Sequence, residues 1–154
     1  MTDLAAAGFR PDWPAVGVIA LGGGLGSLAR YGLAEAWPVQ VDRIPWSTVT
    51  INLSGSFLLG VLVVAVTEVW RVHRLVRPAL GTGVLGGYTT FSTFAVENRS
   101  LFADGCNGIA AAYLALSLVG GVVCAAAGMA LLRRIEPGRR GLGEAVDPFD
   151  PELP

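Results

Sequence analysis

The residue types best suited to handling an ion are gathered in one stretch, Gly86-Gly87-Tyr88-Thr89-Thr90-Phe91-Ser92-Thr93-Phe94, inside an otherwise apolar segment. Two adjacent glycines weaken a helix, and the hydroxyls of Thr89, Thr90, Ser92 and Thr93 compete for its backbone hydrogen bonds, so the segment should break or loosen near its centre. In a bilayer such a break is tolerated only where protein or a polar cavity satisfies the freed groups. Phe91 and Phe94, three apart, face the same side of a helix or of its broken end. They are either packing residues or electropositive ring edges that, beside the hydroxyl donors, help a small anion lose water.

Other polar residues recur at helical spacing. Thr48, Asn52 and Ser56 form a stripe on one helix face, and Tyr113 and Ser117 repeat the four-residue interval. Serine and threonine inside membrane helices are often bonded only to their own backbone, but a primary amide at that depth must be met, and Asn52 brings two donors and an acceptor. Together these residues outline a track of hydroxyl and amide donors with no buried carboxylate. Arg30 either snorkels to the interface or places a fixed positive charge at a vestibule that draws in anions.

Catalysis has no residues to stand on, and the chain is not expected to be an enzyme. No His, Cys or acidic cluster has metal-ligand spacing, no Ser-His-Asp set can be assembled, and His73 sits in an arginine-rich loop. A proton-coupled exporter needs an acidic or histidine relay in a span, and the uncharged runs hold neither. What remains is a passive path lined by hydrogen-bond donors.

These residues are carried on membrane spans. With 53% hydrophobic and 15% charged residues in 154, and a mean hydropathy of +0.57, the chain falls in the integral membrane class. The expected spans are residues 15–36, 46–67, 79–99 and 108–132, preceded by a polar leader at 1–14 and followed by a tail at 133–154 expected to be disordered. In the third, the uncharged run ends at Val96, so Glu97 reads as the start of a loop reaching Asn107. The form Ala34-Glu35-Ala36 resembles a signal-cleavage site, but the acidic leader and Arg30 argue against one. Val18-Ile19-Ala20-Leu21 followed by Gly24-Leu25-Gly26-Ser27-Leu28-Ala29 has the outline of a dinucleotide-binding turn without the βαβ unit it requires. Gly22 with Gly26, and Gly83 with Gly87, suit close helix packing instead. Cys106 and Cys124 make no disulfide framework, and the near-neutral charge gives no nucleic-acid footprint.

Four spans put both termini on one side. That side carries Arg10, Arg71, Arg74, Arg77, Arg133, Arg134, Arg139 and Arg140, against Arg30, Arg43 and Arg99 on the other, which places both termini in the cytoplasm.

Gly23-x-x-Gly26 through Arg30-Tyr31, Thr48 with Asn52 and Gly55 through Gly60, and above all the stretch at 86–94 make the chain resemble the Fluc (CrcB) family of small fluoride channels across all four spans. The resemblance implies an all-α membrane protein of the cell membrane, four transmembrane helices with a broken third helix, assembled as an antiparallel (inverted) two-fold dimer. It implies passive fluoride export through narrow pores at the interface and a structural sodium ion (Na+) held by the carbonyls of Gly86 and Thr89. By the same resemblance, Asn52, Phe91, Phe94, Thr48, Ser92, Thr93, Tyr113 and Ser117 line the pore and Arg30 stands at the vestibule. The row on the fourth span departs from that pattern, continuing into Gly121 and Ala125, so its hydroxyls stop early. An antiparallel homodimer needs one sequence to insert both ways. The uneven arginine count instead favours pairing with an oppositely oriented homologue over a dimer with itself, the other arrangement open to the chain. The shortened row leaves a non-conducting or complementary subunit as an alternative function, and a small multidrug or metabolite transporter is another, against which the lack of an intramembrane acid speaks.

Overall fold

The computed structural model describes residues 12–40, 42–70 and 72–136. Most of the polar leader, the tail beyond 136, and with them Arg10, Arg71, Arg139 and Arg140, lie outside the described residues.

Every regular element among the described residues is helical. Helix α1, Trp13–Ala36, starts where the Asp12 carboxylate accepts from the Ala15 amide and Pro14 occupies the first turn. Helix α2, Trp46–Val64, follows Pro45 and continues through a π turn, Ala65–Val69. After a short connection, a π-helical segment, Pro78–Leu85, leads into the single turn α3, Gly86–Tyr88, and then the helix stops. Thr89 and Thr90 are extended, with ψ of 159° and 120°. Helix α4, Phe91–Ala103, restarts with the Thr90 hydroxyl accepting from the Thr93 amide at 3.2 Å, an N-cap. Helix α5, Asn107–Ile135, closes the fold.

Trp13–Ala36, Trp46–Val69 and Asn107–Ile135 are long and apolar enough to cross a membrane. The broken third helix expected from the glycines and threonines is present, with its interruption at Thr89 and Thr90. The expectation that a loop begins at Glu97 is corrected: α4 runs on to Ala103, because Asn98 is buried and donates to the Ala110 carbonyl at 3.0 Å, tying this turn to α5.

Two parallel pairs of helices make the body. Gly22 meets Ala79 and Gly83, Gly26 meets Val84 and Tyr88, and Gly87 meets Gly23, so α1 runs alongside the π segment and α3 in the same direction. Gly60 lies on Ala125 and Gly128 on Phe57, which sets α2 parallel to α5. The glycines thus serve the close packing read from their spacing. Ion pairs Arg74–Asp12 and Arg133–Glu68 mark one end of the body. The Cys106 thiol, 3.6 Å from the Asp42 carboxylate, joins the 37–45 and 104–106 connections at the other. A side-chain core of Val49, Phe94, Leu101, Ala110 and Tyr113 fills the space between α2, α4 and α5.

Candidate functional site

The site is built from the interruption outward. Stopping a helix after Tyr88 and restarting it at Phe91 strips backbone groups of their partners, and most find new ones. The Asn52 side chain clamps Thr90 in both directions: its Oδ1 accepts the Thr90 amide at 2.9 Å, and its Nδ2 donates to the Thr90 carbonyl at 2.9 Å. The expected pore amide is therefore committed to the backbone of the break, with one N–H left over. The Gly87 carbonyl takes Arg30 Nε at 3.1 Å and Ser27 Oγ at 3.4 Å. The Arg30 guanidinium is thus tied to the break through Nε, on a part-buried side chain. Tyr88 reaches back to Ser54, hydroxyl to hydroxyl at 3.0 Å, and Thr89 Oγ1 donates to Leu85 at 2.9 Å. The carbonyls of Gly86 and Thr89 receive no donor among the described residues. They are the two oxygens that the resemblance assigns to sodium, and bare carbonyls suit a hard cation.

Beside the break lies an open groove of about 340 Å³, bordered by Asn52, Ser56, Thr89, Phe91, Phe94 and Ser117. The Ser117 hydroxyl is buried there without a hydrogen-bond partner among the described residues. The two phenylalanine rings stand 6.0 Å apart but have different surroundings. Phe94 is 7% exposed and meets Tyr113 edge-on at 5.0 Å, whereas Phe91 is 78% exposed. Thr93 is tied to Thr90, hydroxyl to hydroxyl at 2.9 Å, and Ser92 is exposed at the start of α4.

Beyond Phe94 the track reaches a group that the sequence reading placed in a loop. The Glu97 carboxylate accepts from Thr48 Oγ1 at 2.9 Å with one oxygen and from the Tyr113 hydroxyl at 2.7 Å with the other. The expectation of a track without a buried carboxylate is overturned: a half-buried acid joins Thr48 to Tyr113. The signal was available in the spacing, since Glu97 lies three residues beyond Phe94 and one turn further along the same helix face. The site thus brings together Asn52, Thr89, Phe91, Phe94 and Ser117 at the groove and Thr48, Glu97 and Tyr113 beyond it.

Among known proteins, the family profile of the CrcB-like protein, Camphor Resistance (CrcB), matches residues 17–129. A relative in Streptomyces coelicolor, called fluoride-specific ion channel FluC 1, is 54% identical over 108 residues, covering 70% of each chain. The fluoride-specific ion channel FluC 2 of Nocardia farcinica is 49% identical over 73% of this chain and 78% of its own. The FluC of Agrobacterium fabrum is 40% identical over 78% of this chain and 97% of its own. The matched segment contains most of α1, all of α2, the interruption and most of α5, and by it the chain belongs to the CrcB family.

Proposed function

We propose that this chain is a subunit of a fluoride-selective channel of the cell membrane, a non-enzymatic protein that lets fluoride leave the cytoplasm passively. The observation that carries this reading is the continuous line from the groove at Asn52, Phe91 and Ser117, past Phe94 and Tyr113, to Thr48 and Glu97. Ring edges and hydroxyl donors along it offer a small hard anion partial replacement for its water. The names of the relatives supply fluoride as the anion.

In this reading the interrupted segment is the fourth crossing, since it runs from the end with both ion pairs to the end with Asp42 and Cys106. The groove is open on one side, and the exposed Phe91 and the exposed apolar face of α1 at Leu21, Leu25 and Leu28 await cover. An antiparallel two-fold dimer closes the groove with a second subunit. A sodium ion on that axis would be held by the Gly86 and Thr89 carbonyls of each subunit, oxygens that no donor meets among the described residues. When bound, it supplies a fixed positive charge between the subunits; the chain's own part is the clamp by Asn52 and Arg30 that holds the break open.

Both termini face the cytoplasm, on the side that carries eight arginines against three. That imbalance, with the early end of the hydroxyl row at Gly121 and Ala125, favours assembly with an oppositely inserted homologue over a homodimer. Cysteine substitutions at Arg74 and Arg99 should each label from one side only. Labelling of both sites from both sides in the chain expressed alone would restore the homodimer.

Fluoride-electrode recordings from proteoliposomes test the function. With a potassium shunt, fluoride should leave vesicles that hold the chain with its partner, and absence of release both alone and with the homologue would defeat the channel reading. A complementary subunit that does not conduct would leave efflux unchanged when Phe91 is altered in this chain. For a proton-coupled transporter, Glu97 supplies the acid the sequence reading lacked, and substrate uptake driven by a pH gradient would favour it.

A further inference from the structure

The groove is one opening of the line; a second lies at the opposite end of the body. There a cavity of about 250 Å³ is bordered by Asp42, Arg43, Glu97, Ser100 and Asp104. Glu97 joins this cavity to the line: it accepts from Thr48 and Tyr113 and also borders the cavity. Asp42 is held in the left-handed region, φ 57°, at the turn that precedes α2. Its carboxylate accepts the Cys106 thiol.

An anion moving outward past Tyr113 therefore meets three carboxylates. Such a mouth, walled by low-dielectric protein and lipid, concentrates the field of its charges and sets the local concentration of the ion that must pass. The one cationic residue bordering it is Arg43, exposed, with no ion pair or hydrogen bond among the described residues. Arg43 also borders a smaller cavity with Trp37 and Trp46, residues of the kind that sit at the polar boundary of a bilayer. Its charge is thus placed where the aqueous phase meets the path.

We propose that Arg43 determines anion throughput at this mouth, its unpaired guanidinium offsetting Asp42, Asp104 and Glu97 for small anions crossing the cavity. The assignment rests on the channel reading. It acts through charge at a distance, so it has a signature that a folding role lacks. Screening reaches roughly 30 Å at 0.01 M salt and roughly 3 Å at 1 M, so the influence of Arg43 must fade as salt rises.

The test is fluoride efflux from proteoliposomes holding the full chain with its partner, at about 10 mM and about 1 M of an inert salt. Arg43→Gln should lower efflux roughly threefold or more at the lower salt and by much less at the higher. Arg43→Lys should retain wild-type efflux, and Asp104→Asn should raise efflux at low salt. Equal efflux for Arg43→Gln and wild type at low salt, or a deficit that persists unchanged in 1 M salt, overturns the role of Arg43 while leaving the channel reading intact. Absence of wild-type efflux overturns the channel reading, and this assignment with it.

Discussion

The two halves of the interrupted segment are held in opposite ways. Upstream, from Pro78 to Tyr88, contact with α1 is backbone against backbone, through Gly22, Gly23 and Gly26 on one side and Gly83 and Gly87 on the other. Downstream, α4 is held by side chains: Phe94 and Leu101 in the core, Asn98 on α5, and Glu97 between Thr48 and Tyr113. The first arrangement fixes carbonyl oxygens, which suits a cation; the second fixes rings, hydroxyls and a carboxylate along a path. Thr89 and Thr90 join them, and neither half can shift without moving the other relative to the break. The two halves should therefore fail differently when altered.

The largest effect is expected upstream. A Cβ at Gly26 would overlap the Val84 carbonyl and lie 2.8 Å from the Tyr88 nitrogen, both backbone atoms that cannot swing aside. Gly26→Val should abolish the monodisperse peak in size-exclusion chromatography, an overpacking cost at or above the usual range of about 1–3 kcal/mol. Gly24 has open space around its Cβ position. Gly24→Ala should be tolerated, and even gain about 0.5–1 kcal/mol of helix stability. A Gly24→Ala protein as damaged as Gly26→Val would mean that a second subunit seats on that face.

Next is the junction itself. Asn52→Ala leaves the Thr90 amide without its acceptor and the Thr90 carbonyl without the side-chain donor. An amide left unpaired costs about 1–3 kcal/mol when buried and less at this part-buried position, so the midpoint of thermal unfolding in detergent should fall. Fluoride efflux should be lost as well. Full efflux in Asn52→Ala would show that the break holds its shape without the clamp.

Downstream, the two phenylalanines should respond differently from each other. Phe94→Ile should lower both thermal stability and efflux, because Phe94 packs in the core against Tyr113. Phe91→Ile should lower efflux with thermal stability unchanged, since Phe91 borders the groove and is mostly exposed in the subunit. Identical behaviour of the two variants, measured as efflux and as unfolding midpoint, would erase the distinction between path and core.

Sequence pattern reached the helical class, the glycine seams and the interruption because each follows from local chemistry: two glycines, four hydroxyl residues, and spacings of three and four. It placed Thr48, Asn52, Phe91, Phe94, Tyr113 and Ser117 close to one line for the same reason. What it misjudged depended on partners distant in sequence. Glu97 looked like a loop residue because a charge ends an apolar run, and only Thr48, 49 residues away, and Tyr113 make its place tenable. The hydrogen bond of Arg30 was out of reach for the same reason, because its acceptor, the Gly87 carbonyl, lies 57 residues away. Backbone groups freed by a break are invisible to a side-chain pattern, and they decide the roles of both Arg30 and Asn52.

The smallest expected effect lies at the far mouth, where only connections are involved. Partial burial, the hydrogen bond to Asp42 and the charges of Asp42 and Asp104 all push the Cys106 thiol above its ordinary pKa. Alkylation proceeds through the thiolate, so at a given pH below that raised value Cys106 should react more slowly than a free cysteine, and its rate should keep rising with pH past the point where a free thiol levels off. Replacing Cys124, which lies within α5, by alanine leaves Cys106 as the one thiol to follow by mass spectrometry. In that background Asp42→Asn removes the carboxylate that accepts the thiol, so alkylation at pH 8 should quicken, by a smaller factor than any change in efflux named above. An unchanged rate would mean that Asp42 exerts little field at this end. It would also weaken the case that Arg43 is there to offset it.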